Sequence, residues 1–167
     1  CKRRFKDTLL KILYIKRMVI KMSISPLCRQ FAEIFGGEPQ VVNGVCVATK
    51  LRTNIKVRIL GRRSKGLFTL PFGISFESVG KDGRALCLGE SVILTREINP
   101  FISELRKAGI KVTALHNHWL FTNPNIWYIH WEAVQKPLVF AKKVRKASRV
   151  LTNKPVGPLV CKPSSKK

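Results

Sequence analysis

Leu115–Glu132, LHNHWLFTNPNIWYIHWE, holds all three histidines of the chain, His116, His118 and His130. The FTNPN segment inside it carries turn-forming Asn and Pro, so the stretch reads as two strands joined there. Strand side chains alternate between faces with a period of two, which places His116 and His118 together. Opposed residues of a hairpin point the same way, so the loop decides which second-strand residues join them. With His118 opposite Ile126 or Tyr128, the even residues Tyr128, His130 and Glu132 share the histidine face. Leu115, Trp119, Trp127, Ile129 and Trp131 then form the other face, interrupted only by Thr113 and Asn117. One face is expected to be core, tryptophans included and Asn117 at its edge. The other is expected to be a histidine site.

Outward from this stretch, Ser25-Pro26 predicts a helix start, with Leu27, Phe31, Ile34 and Phe35 as the apolar stripe and Gly36-Gly37 as the stop. Asn43-Gly44 between β-branched runs predicts a tight hairpin. Asn54–Leu60 alternates as a third strand, GRRSKG is a basic loop, and a strand follows over 73–79 with Pro71 outside it. GKDG is a turn before a strand over Ala85–Leu94. Asn99-Pro100 opens a second helix burying Phe101, Ile102, Leu105 and Ala108, and Gly109 ends it. A third helix from Pro137 to about Ser148 buries Leu138, Ala141 and Val144. Strands here do not alternate with helices as in βαβ repeats. The fold class is therefore α+β: a single domain with a mainly antiparallel sheet, about three helices and a ferredoxin-like β-α-β-β-α portion in its second half.

The organisation is a basic N-terminal extension over 1–21, a domain over 22–148 and a basic disordered tail over 149–167. The net charge of +23 supports it: residues 1–25 hold eight Lys/Arg against one acid, and 141–167 nine against none. Most of the excess lies in the ends, so basic arms on a mildly basic body are expected rather than a fold built to read nucleic acid. Nucleic acid or an anionic membrane remains an alternative partner through those arms. No uninterrupted apolar run reaches the roughly 18 residues of a transmembrane helix. LLKILYIKRMVIKM is broken by Lys and Arg, which fits translation starting at Met22 or Met18 better than a signal peptide. A basic amphipathic segment lying on a membrane is the other reading of it. The five cysteines are scattered without a CxxC, so a zinc knuckle and a thioredoxin-type motif are unsupported. Cys46 and Cys87 sit among apolar neighbours as small buried hydrophobes, and a cytoplasmic, reducing location is expected.

Imidazoles two apart on one strand, with a third on the next, suit a divalent, zinc-like metal. Each neutral ring offers one lone pair, so His116, His118 and His130 would leave a coordination position open. Glu90, Glu97 and Glu132 are the candidate carboxylates to orient the rings, with Tyr128 as a further polar partner. Glu90 or Glu97 would be the general base if the centre is hydrolytic. The structural alternative is a set of hydrogen-bonded histidines bracing the sheet. An HNH nuclease is excluded, because contiguous strand residues cannot reproduce a ββα arrangement. A Ser/His/Asp triad lacks a GxSxG elbow, and the only aspartates are Asp7 and Asp82.

GESVILTREINPFISELRKAGIKVTALHNHWLFTNPNIWYIHWEA, with PLCRQFAEIFGG and FGISFESVG before it, resembles the LppY/LpqO family, a bacterial domain of unknown function. The likeness covers about 22–148 and looks closest to short cytoplasmic members from Bacillus-like bacteria. Many members carry an acid before the proline that follows HNH, where this chain has Asn123. The resemblance implies the domain's extent and the histidine combination but no established activity. The expected function is thus a small domain binding a divalent metal or small polar ligand. A metal-dependent hydrolase and a basic-arm binder are the alternatives.

Overall fold

A computed structural model of the chain describes residues 24–158. The expected extension over 1–21 and the end of the expected tail, 159–167, lie outside the described residues. Helix α1 spans Pro26–Phe35, where the Ser25 hydroxyl accepts from the Cys28 amide and Gly36 closes the helix at φ 78°. Phe31, Ala32 and Phe35 are buried, while Leu27 faces solvent and Cys28 takes its place. Nine strands follow with two more helices: β1 Glu38–Val42, β2 Val45–Leu51, β3 Arg58–Ile59, β4 Arg62–Arg63, β5 Pro71–Glu77, β6 Ala85–Leu94, α2 Ile98–Lys107, β7 Lys111–His116, β8 Thr122–Asn123, β9 Ile126–Gln135 and α3 Pro137–Ala147.

Six strands form one sheet in the order β1-β2-β5-β6-β9-β7, with every neighbouring pair antiparallel. Because β9 lies between β6 and β7, the run β6-α2-β7-β9-α3 is the expected β-α-β-β-α portion. The chain is a single α+β domain. Phe31 and Phe35 of α1, Phe101 and Leu105 of α2, and Phe140 and Val144 of α3 pack against one face of the sheet with Ile74, Cys87, Ile129 and Trp131. Trp131 is fully buried there, edge-on to Phe72 and Phe101. Gly89 stands opposite it across β6 and β9, and a β-carbon at Gly89 would lie 2.3 Å from the indole. A glycine is what lets the largest core residue lie flat on the sheet.

The other face is divided. Residues 52–70 fold over one half, and Ile55, Val57 and Leu70 bury Val92, Leu94, Ile126 and Tyr128 in a second core. From this segment β3 and β4 form a small separate sheet with β8, in the order β4-β3-β8. The strand expected over Asn54–Leu60 shortens to Arg58–Ile59, and part of the expected GRRSKG loop is its partner, Arg62–Arg63. Pro71 is inside β5, at its first residue, where a missing N–H costs least. The remaining half of the face is open.

Three further expectations change. Helix α2 begins at Ile98 rather than at Asn99-Pro100, because a 3-10 turn over Thr95–Glu97 leads into it. Residues 149–158, expected to be tail, lie on the domain: the Thr152 amide donates to Glu97, and Val156 bridges Ile55. Cys46 is buried but not free, since it forms a disulfide with Cys28. Cys87 is free and buried. The scattered spacing thus hides a pairing, and the ground for expecting a reducing compartment falls with it. No helix among the described residues is long and apolar enough to cross a membrane.

Candidate functional site

The period-two reading places His130 correctly and His118 for the wrong reason. In the register of β7 with β9, Ala114 opposes His130, Leu115 opposes Ile129 and His116 opposes Tyr128. A bulge between Val112 and Ala114 absorbs Thr113. It lets Val112 pair with Trp131 on the core face while His116, also even-numbered, points to the opposite face. Strict alternation would have put Thr113, not Val112, in the core. The strand then ends at His116, and 117–125 form a loop carrying β8 rather than a tight hairpin turn. His118 sits in that loop and folds back over the second core, its ring stacked on Tyr128 with centroids 3.8 Å apart. Asn117 holds the loop by donating to the Ile126 carbonyl at 2.7 Å.

The three imidazoles converge. One ring nitrogen from each of His116, His118 and His130 lies within 4.8 Å of the others. His116 stacks on His130 at 5.1 Å between centroids and approaches His118 at 4.7 Å. Glu90 opposes His130 across β6 and β9, with its Oε2 3.7 Å from His130 Nδ1. The other ring nitrogen of His130, Nε2, is buried without a hydrogen-bond partner. Such an atom calls for a ligand, since an unpaired buried acceptor or donor carries its full desolvation cost. Burial holds the His130 imidazole below its ordinary pKa; Glu90 pulls it up and His116 pushes it further down. His118 is lowered as well, by burial first and then by His116 and His130. Neutral rings with available lone pairs are the form a metal takes.

The other predicted residues divide. Tyr128 supplies its ring to the site, but its hydroxyl points away and donates to the Thr69 carbonyl at 2.9 Å; burial pushes its pKa up to about 12. Glu132 lies one strand repeat beyond His130 on the same face, opposite Leu88 and Lys111, and lines a separate hollow with Arg84. The structure engages Glu97 with other partners than the histidines. Its carboxylate is buried in a two-pronged ion pair with Arg52, at 2.8 and 2.9 Å. It also accepts from the amides of Leu94 and Thr152. All its acceptor capacity is spent holding the 52–70 segment and the C-terminal residues to β6. Nor are all the tryptophans core: Trp119 is half-exposed and donates to the Phe68 carbonyl, and Leu115 is likewise partly exposed.

Sequence reasoning missed the floor beside the cluster. A groove of about 350 Å³ runs from His130 and Glu90 across the open half of the sheet, over Leu88, Gly73, Ser75, Val47 and Thr49. Gly73 lies between Thr49 and Glu90 in the cross-strand row, and its missing side chain deepens the groove next to the histidines. The only signal for it was a glycine in the middle of a strand.

No curated protein and no solved structure matches the chain significantly. The sequence model of one family, described as a domain of unknown function, DUF1259, matches residues 29–150, from α1 to the 3-10 turn after α3. That match spans every strand and all three histidines, and the chain belongs to this family.

Proposed function

We propose that the chain is a small metal-binding domain in which His116, His118 and His130 hold one divalent, zinc-like ion facing the groove. The observation that carries this is the pairing of a convergent three-histidine set with a buried, unpartnered Nε2 on His130. Glu90, with Oε2 3.7 Å from the opposite nitrogen of that ring, is the nearby carboxylate that would orient the ring when Nε2 ligates. Three imidazoles from one side leave coordination positions open toward solvent, as in sites where water or a ligand completes the shell. The groove supplies room for a small ligand with a polar end at the histidines and an apolar body over Val47 and Leu88. The family match over 29–150 covers the stretch read as LppY/LpqO-like and supports an uncharacterised domain of that extent.

A hydrolase is the second reading, favoured by the one carboxylate that does reach the cluster. A bound divalent ion lowers the pKa of its water to about 7, and Glu90, behind the His130 ring, would act by orienting and polarising that ligand rather than by taking the proton itself. The test begins with the purified full chain, stripped by chelator and titrated with zinc, beside His116→Ala/His118→Ala. About one zinc per chain in the first and none in the second is expected. Equal, substoichiometric metal in both would remove the proposal. Metal-dependent turnover of ester or phosphoester substrates, lost in Glu90→Gln, would extend it to catalysis.

A further inference from the structure

The second core is capped by loops whose tips do not fit a free, solvated surface. Among the described residues the four most exposed large apolar side chains are Phe68 at 83%, Phe121 at 77%, Leu120 at 74% and Leu60 at 72%. All four belong to the two loops that cover the sheet beside the histidines. Pairing of β3 with β8 brings Ile59 opposite Thr122, which sets Leu60 next to Phe121. The Trp119 indole donates to the Phe68 carbonyl at 2.9 Å, which ties the second pair of tips together.

Leu60-Gly61 is the two-residue turn between β3 and β4, with φ values of 48° and 76°. A turn with both residues in the left-handed region favours Asn, Asp or Gly at its first position. A leucine there is strained and points its side chain into solvent. Phe121 repeats the pattern at φ 55°. Bulky residues in this region are uncommon, and folding gains nothing from placing them there. Exposed Arg58, Arg62, Arg63 and Lys65 surround the tips. No Asp or Glu occurs from residue 52 to 76 or from 105 to 131.

We infer that these two loops dock the chain on an anionic lipid surface. Leu60, Phe68, Leu120 and Phe121 enter the boundary between headgroups and acyl chains, and Arg58, Arg62, Arg63 and Lys65 meet the headgroup charge. A nucleic acid would use the cations and could stack on phenylalanine, but it has no use for the leucine tips. This inference is independent of the metal: it rests on different residues and needs no ion in the histidine cluster.

The test is co-sedimentation of the full chain with phosphatidylcholine vesicles, with and without phosphatidylglycerol. Binding is expected only with the anionic lipid, weakening as salt rises. Phe68→Ser/Phe121→Ser keeps every charge, including those of the basic ends, and should bind roughly tenfold more weakly or worse. Leu60→Asn suits its turn better than leucine, so it stays folded while removing one tip and should also bind more weakly. Arg62→Gln/Arg63→Gln should lose most of the anionic-lipid preference. Undiminished vesicle binding by the phenylalanine variant would assign the interaction to the terminal cations and overturn the inference. So would a dimer of the native chain that this variant dissolves with no change in vesicle binding, because the patch would then face a second copy.

Discussion

Glu97→Gln separates a residue that builds the fold from one that performs chemistry. The Glu97 carboxylate accepts from Arg52 twice, at 2.8 and 2.9 Å. It also accepts from the Leu94 amide at 2.9 Å and the Thr152 amide at 2.8 Å. Glutamine keeps one acceptor oxygen and turns an N–H₂ toward donors, so two of those four contacts are lost. The Arg52 guanidinium stays buried and charged with no counter-charge, held by the one remaining side-chain oxygen and the carbonyls of Val92 and Thr152. Breaking a buried pair by removing one partner costs about 3–5 kcal/mol, which lowers Tm by roughly 10 °C for a chain of this length. Arg52→Met/Glu97→Leu removes both charges and leaves two backbone amides unpaired, at about 1–3 kcal/mol each. The double variant is therefore expected to lose less than the sum of the two single variants.

Acid adds a second readout of the same pair. Burial raises the Glu97 pKa, but Arg52 and the two amides outweigh it and hold the carboxyl below its ordinary value. A folded pKa lower than the unfolded one gives stability that is present above the unfolded value, about 4.3. It drains away as pH falls through the folded value. The native chain should lose this contribution on acidification, and Glu97→Gln should show a shallower fall. Urea unfolding at neutral and acid pH measures both. A variant that unfolds like the native chain yet loses zinc binding would refute the structural role and return Glu97 to the site.

Glu90→Gln should do the reverse, weakening zinc affinity about 10–100-fold through the loss of ring orientation while leaving Tm nearly unchanged, since the Glu90 side chain is about half exposed and lies outside both cores; calorimetric titration beside thermal melting reads both. Gly89→Ala would drive a β-carbon into the Trp131 indole, a ring wedged between Phe72 and Phe101. A loss of about 1–3 kcal/mol in urea unfolding is expected from such overpacking, and a neutral result would mean the indole can move. Cys28→Ser/Cys46→Ser opens a link across 18 residues and should cost about 3 kcal/mol. The same loss should appear when the native chain is unfolded in reductant, and unequal losses would contradict the pairing.

What the sequence revealed depended on how far apart the deciding partners stand. Asn43-Gly44, the strand over Ala85–Leu94 and the limits of α1 and α3 follow from local turn and capping chemistry, and they were legible. The split of Trp131 from His130 needed only a period of two. The bulge at Thr113 was not legible, because alternation breaks there without a glycine or proline to mark it. Glu97 misled because its partner Arg52 lies 45 residues away, and a lone glutamate before a helix looks like a free acid. Cys28 and Cys46 belong to a helix and a strand whose packing no spacing rule gives. Residues 149–158 read as a tail by composition, yet backbone amides and one β-bridge, which composition does not report, hold them to the domain. His118 reached the cluster through its stack on Tyr128 rather than through strand geometry.

The position of the metal itself is the most direct measurement. Crystals of the full chain grown with zinc should give one strong anomalous peak at the zinc edge. That peak should lie about 2.0–2.1 Å from a ring nitrogen of each of His116, His118 and His130, with Glu90 on the far side of the His130 ring. No peak there, or a peak on other side chains with the three rings hydrogen-bonded among themselves, would contradict it and leave the histidines as braces of the sheet.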